Sequence, residues 1–330
     1  MIYFLLGKGK PFLKKEGEPV RRVVSLLLGI WLLFMAFACA ESREVIKYLD
    51  PDMEKPALYN GSLPEDLVYA PLEAHFINIG SADSILLRAG DWTMLVDSGI
   101  ESNAQRIIDY LEAVGVDHLD YAFGTHPHDD HIGGFPEIFK AVSVGTYLQP
   151  TLFDDVSDSR TRKLAAALAN RRIPIQSVAD GDVLTFGSLT LRFFQWQKQD
   201  ARINNRSMIL KVECGVRSLL LAADLEEHSQ NALAKQYGER LQADILKFPH
   251  HGLTGYTPSF HKAVSPALCV ISNTEARIEK TVRALDRRGC PWLLTTQGTV
   301  VAVTDGGQWQ VWQLPKKATD LGEEAPAAEE

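Results

Sequence analysis

Between residues 73 and 313 the chain alternates short apolar runs with segments of helical period. Runs of four to six β-branched and aromatic residues read as strands; apolar positions three and four apart read as helices. Residues 75–79, 84–88 and 93–96 read as three strands, and Gly90-Asp91 is a hairpin turn signal between the last two. Ser102 is placed to cap a helix through Ile107, Ile108 and Leu111, which Gly115 ends. Residues 121–124 are a strand feeding a polar loop, and Gly133-Gly134 lets the backbone turn tightly into a helix over 136–141. A helix is expected over 158–171, strands over 189–196 and 208–212, and a buried strand over 217–222 that ends at Asp224. A helix over 226–236 precedes a strand over 243–248 that ends at His250-His251. A helix over 277–288 and strands near 291–295, 299–304 and 308–313 close one large α/β domain. Polar residues able to do chemistry fall just after strands, at one edge of the sheets.

The ends of the chain differ from this middle. Lys8, Lys10, Lys14, Lys15, Arg21 and Arg22 precede an apolar run from Val23 to Ala40, interrupted by Ser25 and Gly29. A basic region before an apolar stretch is the pattern of an export signal, and the run is also long enough to span a bilayer. Basic residues ahead of it place the remainder outside the membrane. Ala36-Phe37-Ala38 fits a signal-peptidase site, and Cys39 fits a lipid-modified cysteine with an imperfect preceding motif. Lipoprotein, uncleaved anchor and free secretion all fit. The expected organisation is therefore a signal or anchor over 1–40, a polar linker over 41–72, one large α/β domain over 73–315 and an acidic Ala/Pro-rich tail over 316–330. The tail is too polar to bury a core.

Removing residues 1–40 takes away six basic and two acidic residues, so the formal charge moves from −8 to −12. Binding to nucleic acid is dominated by Lys and Arg meeting phosphates. A domain this acidic is expected to lack the broad basic footprint of a general nucleic-acid binder, with a local basic groove left open. Cys214, Cys269 and Cys290 are scattered and form no C-x-x-C. They read as buried thiols, with no disulfide staple indicated.

Residues 126–131 read His-Pro-His-Asp-Asp-His and are followed by Ile-Gly-Gly. Three of the nine histidines lie in this hexapeptide. Imidazole and carboxylate form the donor set that suits zinc, manganese or iron. Alternation sends His126 and His128 to one side, and a turn brings Asp130 and His131 to a second point. One hexapeptide can thus serve two adjacent ions. Asp224 ends a buried strand and needs a partner, as a metal ligand or as a helix cap. His250 and His251 are adjacent on an extended segment, so their side chains should diverge and one of them should be the ligand. Gly252 favours His251.

The hexapeptide matches the H-x-H-x-D-H signature of the metallo-β-lactamase superfamily. Supporting it are Phe76 to Ser84, Leu95-Val96-Asp97-Ser98-Gly99, Asn204-Asn205-Arg206-Ser207, Leu219 to Asp224, and Pro249-His250-His251-Gly252. In this order the segments resemble the subgroup that forms the hydrolase domain of the DNA-uptake competence channel (ComEC type) and its stand-alone relatives. The resemblance implies a four-layer αββα sandwich with one or two divalent ions, zinc or manganese, between its sheets. It implies His126, His128, Asp130, His131, Asp224 and one or both of His250 and His251 as ligands, with Asp224 bridging. It places Asp97 beside the metals, fixing an imidazole; Asp83 is read in the same role or as a loop cap with Ser81 and Ser84. Asn204 and Asn205 stand where many members carry a further His, and Asn205 is taken as a supporting residue. A late His of the subgroup is missing from 272–279, where Glu275 is the alternative oxygen donor. His75, His118, His228 and His261 read as surface or structural.

Such a site would activate water, with Asp130 as the orienting base and His251 beside it. No Ser-His-Asp, Cys-His, P-loop or dinucleotide motif competes. The expectation is an extracytoplasmic metal-dependent hydrolase acting on a phosphodiester, either an envelope component or DNA. A nuclease of DNA uptake and a non-catalytic surface protein are the alternatives.

Overall fold

The computed structural model describes residues 45–48, 71–153, 158–198, 200 and 202–314. The predicted signal over 1–40, the acidic tail over 316–330 and most of the linker lie outside them. The described linker residues are not all linker: Ile46–Tyr48 is a strand, β1, paired parallel to the last strand.

Two sheets are formed. The nine-stranded sheet contains β1, β2 (Leu72–Phe76), β3 (Ile85–Ala89), β4 (Trp92–Val96), β5 (His118–Phe123), β6 (Ser143–Pro150) and β7 (Ile175–Val178). It also takes β15 (Val300–Thr304) and β16 (Trp309–Gln313), in the order β1-β16-β15-β2-β3-β4-β5-β6-β7. The seven-stranded sheet contains β8 (Val183–Phe186), β9 (Leu189–Gln195), β10 (Met208–Cys214), β11 (Arg217–Leu221), β12 (Ile245–Lys247), β13 (Leu268–Ile271) and β14 (Trp292–Leu294). Its order is β14-β13-β12-β11-β10-β9-β8.

Each sheet is part antiparallel and part parallel. β4 to β7 run parallel, as do β11 to β14. Parallel neighbours need crossovers, and helices fill them. Ala104–Ala113 (α1) joins β4 to β5; Asp129–Ile132 (α2) and Phe135–Ala141 (α3) join β5 to β6; Ser159–Arg171 (α4) joins β6 to β7. Glu227–Tyr237 (α5), Pro258–Val264 (α6) and Glu279–Asp286 (α7) do the same in the second sheet.

The apolar faces explain the layering. Leu87, Met94, Val96 and Phe123 meet Leu191, Phe193, Leu210 and Leu221 between the sheets. Phe123 and Phe193 pack edge to face, with centroids 5.5 Å apart. Each such side chain contributes roughly 1.5–3 kcal/mol on burial. On the outer face of the first sheet Leu86 and Leu95 meet Ile107, Leu111 and Ile138 from α1 and α3. On the outer face of the second, Leu220 and Leu246 meet Leu233, Phe260, Val282 and Leu285 from α5, α6 and α7. The result is a two-sheet α/β sandwich with helices outside both sheets.

The pattern missed β6, β7, β8 and α6, while the apolar, strand-like surroundings of Cys269 are β13. β8 is largely exposed, and β6 begins with exposed and half-buried positions, so neither has a clean apolar face. Ser102 does not cap α1. It sits inside a short 3-10 turn over Glu101–Asn103, and no side chain caps α1. Gly115 does follow α1 with φ +73, the left-handed conformation that ends helices.

In open α/β sheets, sites gather at the carboxyl ends of parallel strands. Here β4 leads to Asp97, β5 to 126–131, β11 to Asp224, β12 to His250-His251 and β13 to Ser272. Asp83 follows β2 and stands just before β3.

Candidate metal centre

Asp224 lies at the middle of the cluster, buried to 1% exposure. Its Oδ1 lies 3.1 Å from His131 Nε2 and 3.4 Å from His251 Nε2. Its Oδ2 lies 3.7 Å from His126 Nε2 and 3.8 Å from His250 Nε2. His128 Nδ1 sits 3.1 Å from His126 Nε2. Asp130 joins the first group, 3.3 Å from His251 Nε2 and 3.9 Å from His131 Nε2. The two oxygens of one carboxylate thus face two sets of imidazoles.

This arrangement corrects the expectation for the His pair. The side chains of His250 and His251 do not diverge, because the segment is not extended. Both residues take the left-handed conformation, with φ +46 and +49. Their Nε2 atoms reach the same carboxylate from two directions. At Gly252, with φ +78, a Cβ would press on Ile271 and Ile278. Among the described residues six non-glycine residues have positive φ, and Asp97, Ala223, His250 and His251 are four of them. Such conformations cost about 1–3 kcal/mol each and gather at functional sites.

Carboxylates behind the imidazoles hold them in place. Asp97 Oδ2 lies 2.7 Å from His131 Nδ1. Asp97 also accepts hydrogen bonds from the Thr125 amide and hydroxyl, both at 2.8 Å. Asp83 Oδ1 lies 3.2 Å from His251 Nδ1 and accepts 2.5 Å from Ser272 Oγ, itself 2.9 Å from the same Nδ1. Asp83 is therefore no cap for Ser81 and Ser84. A carboxylate on one ring nitrogen fixes the tautomer and points the other nitrogen's lone pair at the cluster. Lys247 Nζ, 1% exposed, donates to Asp83 Oδ2 at 2.6 Å. Thr125, Ser272 and Lys247 carry no motif. The one signal was a lysine inside an apolar run, and its partner is 164 positions away.

The asparagines divide their work. Asn204 Nδ2 lies 3.4 Å from His250 Nε2. Asn205, the expected supporting residue, faces elsewhere: its Oδ1 accepts from the Ser229 amide and hydroxyl, tying its loop to the start of α5. Glu275 is exposed and belongs to neither metal-capable group among the described residues, so it does not replace the late His. His75 is buried between Tyr110 and Glu73; His118 and His228 are exposed.

Charges follow from this crowding. Burial pushes the Asp224 carboxyl up, but the charges of His131, His251 and His126 hold it well below its usual range. Burial also opposes Asp130 and Asp83, and neighbouring histidines, with Lys247 for Asp83, hold both low. Burial lowers His251, yet Asp224 and Asp83 push it up to about 9. His131 is likewise raised well above its usual value by Asp224 and Asp97, against burial. His126, buried and beside His131, is held well below.

The donor set fits divalent metal. His131 Nε2, His251 Nε2 and Asp224 Oδ1 are buried and have no hydrogen-bond partner. Leaving such atoms unsatisfied costs about 1–3 kcal/mol each. Donors about 2.0–2.1 Å from a tetrahedral ion stand roughly 3.3 Å from one another. Asp83, His131, Asp224 and His251 form one metal-capable group. Within it Asp224 Oδ1 stands 3.1 and 3.4 Å from His131 and His251, which agrees with that spacing, while Asp130 stands 3.3 Å from His251 and 3.9 Å from His131. His126, His128 and Asp224 form the second metal-capable group.

A two-sheet α/β sandwich with histidines and a shared carboxylate at the strand ends defines a class of metal-binding domain. A sequence profile of the metallo-β-lactamase superfamily matches residues 77–255, and the chain belongs to that superfamily. Its members are metal-dependent hydrolases that bind one or two divalent ions. The chain is 29% identical over 220 residues to ComE operon protein 3 of Bacillus subtilis, which covers 61% of this chain and 28% of that protein. It is 29% identical over 204 residues to competence protein ComA of Neisseria gonorrhoeae, covering 61% of this chain and 27% of that protein. The chain therefore spans about a quarter of the length of these relatives. Among solved structures it is similar to the metallo-β-lactamase fold protein YhfI of Bacillus subtilis, at 14% identity and TM-score 0.42, covering 68% of this chain and 95% of that one. It is also similar to CmlA, a diiron β-hydroxylase of Streptomyces venezuelae, at 16% identity and TM-score 0.43, covering 70% and 53%.

Proposed function

We propose that the chain is an extracytoplasmic hydrolase that uses metal-activated water on a phosphodiester. The observation that carries the reading is Asp224, whose Oδ1 faces His131 and His251 while its Oδ2 faces His126 and His250. Divalent ions held by Asp224 with His131 and His251, and by Asp224 with His126 and His128, would supply a water of lowered pKa and positive charge opposite the phosphoryl oxygens. His131 and His251 are steadied from behind by Asp97 and Asp83, so their lone pairs need little reorganisation. Asp130 has the role of base. Its side chain is 35% exposed, whereas those of Asp224, Asp83 and Asp97 are at 1–2%, so a proton received at Asp130 has a route to solvent.

Two adjacent cation positions suit in-line displacement at a phosphodiester. The competence relatives make DNA one candidate, and an envelope phosphodiester is the other. The acidic balance of residues 41–330 favours the smaller envelope substrate over general DNA binding. The basic start and the apolar run to Ala40 support placing the domain outside the membrane.

The test is hydrolysis of bis-p-nitrophenyl phosphate by the full chain, measured beside its metal content. The reading expects one to two ions per chain and turnover that a chelator abolishes. A chain that binds metal but cleaves neither this substrate nor DNA supports a non-catalytic surface protein instead. Protease added to intact cells or spheroplasts should digest the domain; full protection contradicts export.

A further inference from the structure

Cys269 Sγ and Cys290 Sγ lie 3.5 Å apart, although 21 positions separate them in the chain. Cys269 is in β13 and Cys290 stands two residues before the edge strand β14. The backbone beside them is already laced: the Cys269 amide donates to Pro291 O at 2.9 Å, and the Cys290 amide donates to Leu285 O at 3.1 Å. Both side chains sit in the apolar cluster under α6 and α7, Cys269 at 0% exposure and Cys290 at 6%. Cys214 lies in a different cluster, between the sheets.

We infer that Cys269 and Cys290 form a dithiol that closes to an intramolecular disulfide when an external disulfide is supplied. The thiols differ in a way that suits the reaction. A hydrogen bond from Cys269 holds Cys290 below its usual value, with help from Arg288, whereas burial holds Cys269 well above. Cys290 is therefore the entering nucleophile. Its thiolate attacks one sulfur of the external disulfide, forming a mixed disulfide and releasing one thiolate of the oxidant. The Cys269 thiol then loses its proton to solvent and attacks the Cys290 sulfur, expelling the second oxidant thiolate. Two electrons pass from the protein to the oxidant, which leaves as two thiols. The step touches no metal ligand, so it does not depend on the proposed hydrolysis. It would be in keeping with an oxidising location outside the cytosol.

The experiment exposes the native full chain to hydroxyethyl disulfide, blocks remaining thiols, and maps peptides without reduction. The expected product is a peptide joining Cys269 to Cys290, a protein mass lower by two hydrogens, and no oxidant retained on either residue. The oxidised chain should also melt at a higher temperature, and a reductant should remove that gain. In Cys269→Ser the oxidant should remain on Cys290 as a mixed disulfide. Should that variant fail to fold, the wild-type map alone decides. Oxidant retained on Cys290 in the wild type would overturn the inference. So would a link from either residue to Cys39 or Cys214, or reaction of the pair only after denaturation.

Discussion

His250 and His251 are neighbours in the chain, yet their Nε2 atoms meet different oxygens of Asp224, at 3.8 Å and 3.4 Å. The left-handed conformation of both residues makes this possible. His250 reaches the Asp224 oxygen that also faces His126, while the His126, His128 and Asp224 group is formed without it.

Asp224 therefore has the most to lose. Asp224→Asn keeps the shape, removes one of two carboxylate charges from the Asp83, His131, Asp224 and His251 group, and removes the only one from the His126, His128 and Asp224 group. We expect the variant to lose at least one ion per chain and its hydrolysis, and His128→Ala to behave alike. His118→Ala, at an exposed site bonded to Ser143, should change neither. Elemental analysis of purified protein beside phosphodiester turnover decides; full metal in Asp224→Asn sinks the assignment.

The carboxylates behind the rings make a graded prediction. Asp97→Asn leaves the ligand atoms in place but replaces a charged carboxylate by a neutral amide, whose single oxygen cannot accept from both the Thr125 amide and His131 Nδ1. Metal affinity or activity should fall about 10–100-fold. Titration against a competing chelator measures it, and an unchanged affinity would show that packing alone orients the ring.

Lys247 concerns stability. Its ammonium is buried against Asp83, and Lys247→Met leaves that carboxylate short of its cation. Breaking such a pair from one side costs about 3–5 kcal/mol. The double change Lys247→Met with Asp83→Asn should recover part of the loss, since no buried charge is stranded. Urea unfolding of the singles and the double closes the cycle; equal loss in all would argue against the pair.

Protons report on the same cluster. In the metal-free chain His251 is raised to about 9 from an unfolded value near 6.5. A raised histidine contributes stability that is fully present below about 6.5 and is lost as pH rises towards 9. The depressed Asp83, Asp130 and Asp224 act oppositely, their contribution fading only in acid. The chelated protein should thus lose stability between pH 6.5 and 9, and the metal-loaded protein should not follow it. Metal binding near neutral pH should release protons, because a ligating imidazole must be neutral. Calorimetry in buffers of different ionisation enthalpy counts them, and a count of zero contradicts the raised histidines.

Much of this was legible from sequence because the key donors are contiguous. His126 to His131 lie in six residues, and Asp224 and His250-His251 each end an apolar run, which places them at a sheet edge. What was not legible depends on pairing across distance. Asp83, Ser272 and Lys247 meet only after β3, β12 and β13 are assembled. The convergence of His250 and His251 rests on positive φ at two non-glycine residues, which hydrophobic period does not encode. β6 and β8 escaped because sheet position rather than an apolar face holds them.

The donors are divided between the sheets. His126, His128, Asp130 and His131 follow β5 of the first, and Asp224, His250 and His251 follow β11 and β12 of the second. Any bound ion is then a rivet through two plates, and its affinity doubles as a gauge of how well those plates are aligned. A conservative change far from the strand ends, such as Phe193→Leu at the ring contact with Phe123, would be felt at the rivet as a loosened hole.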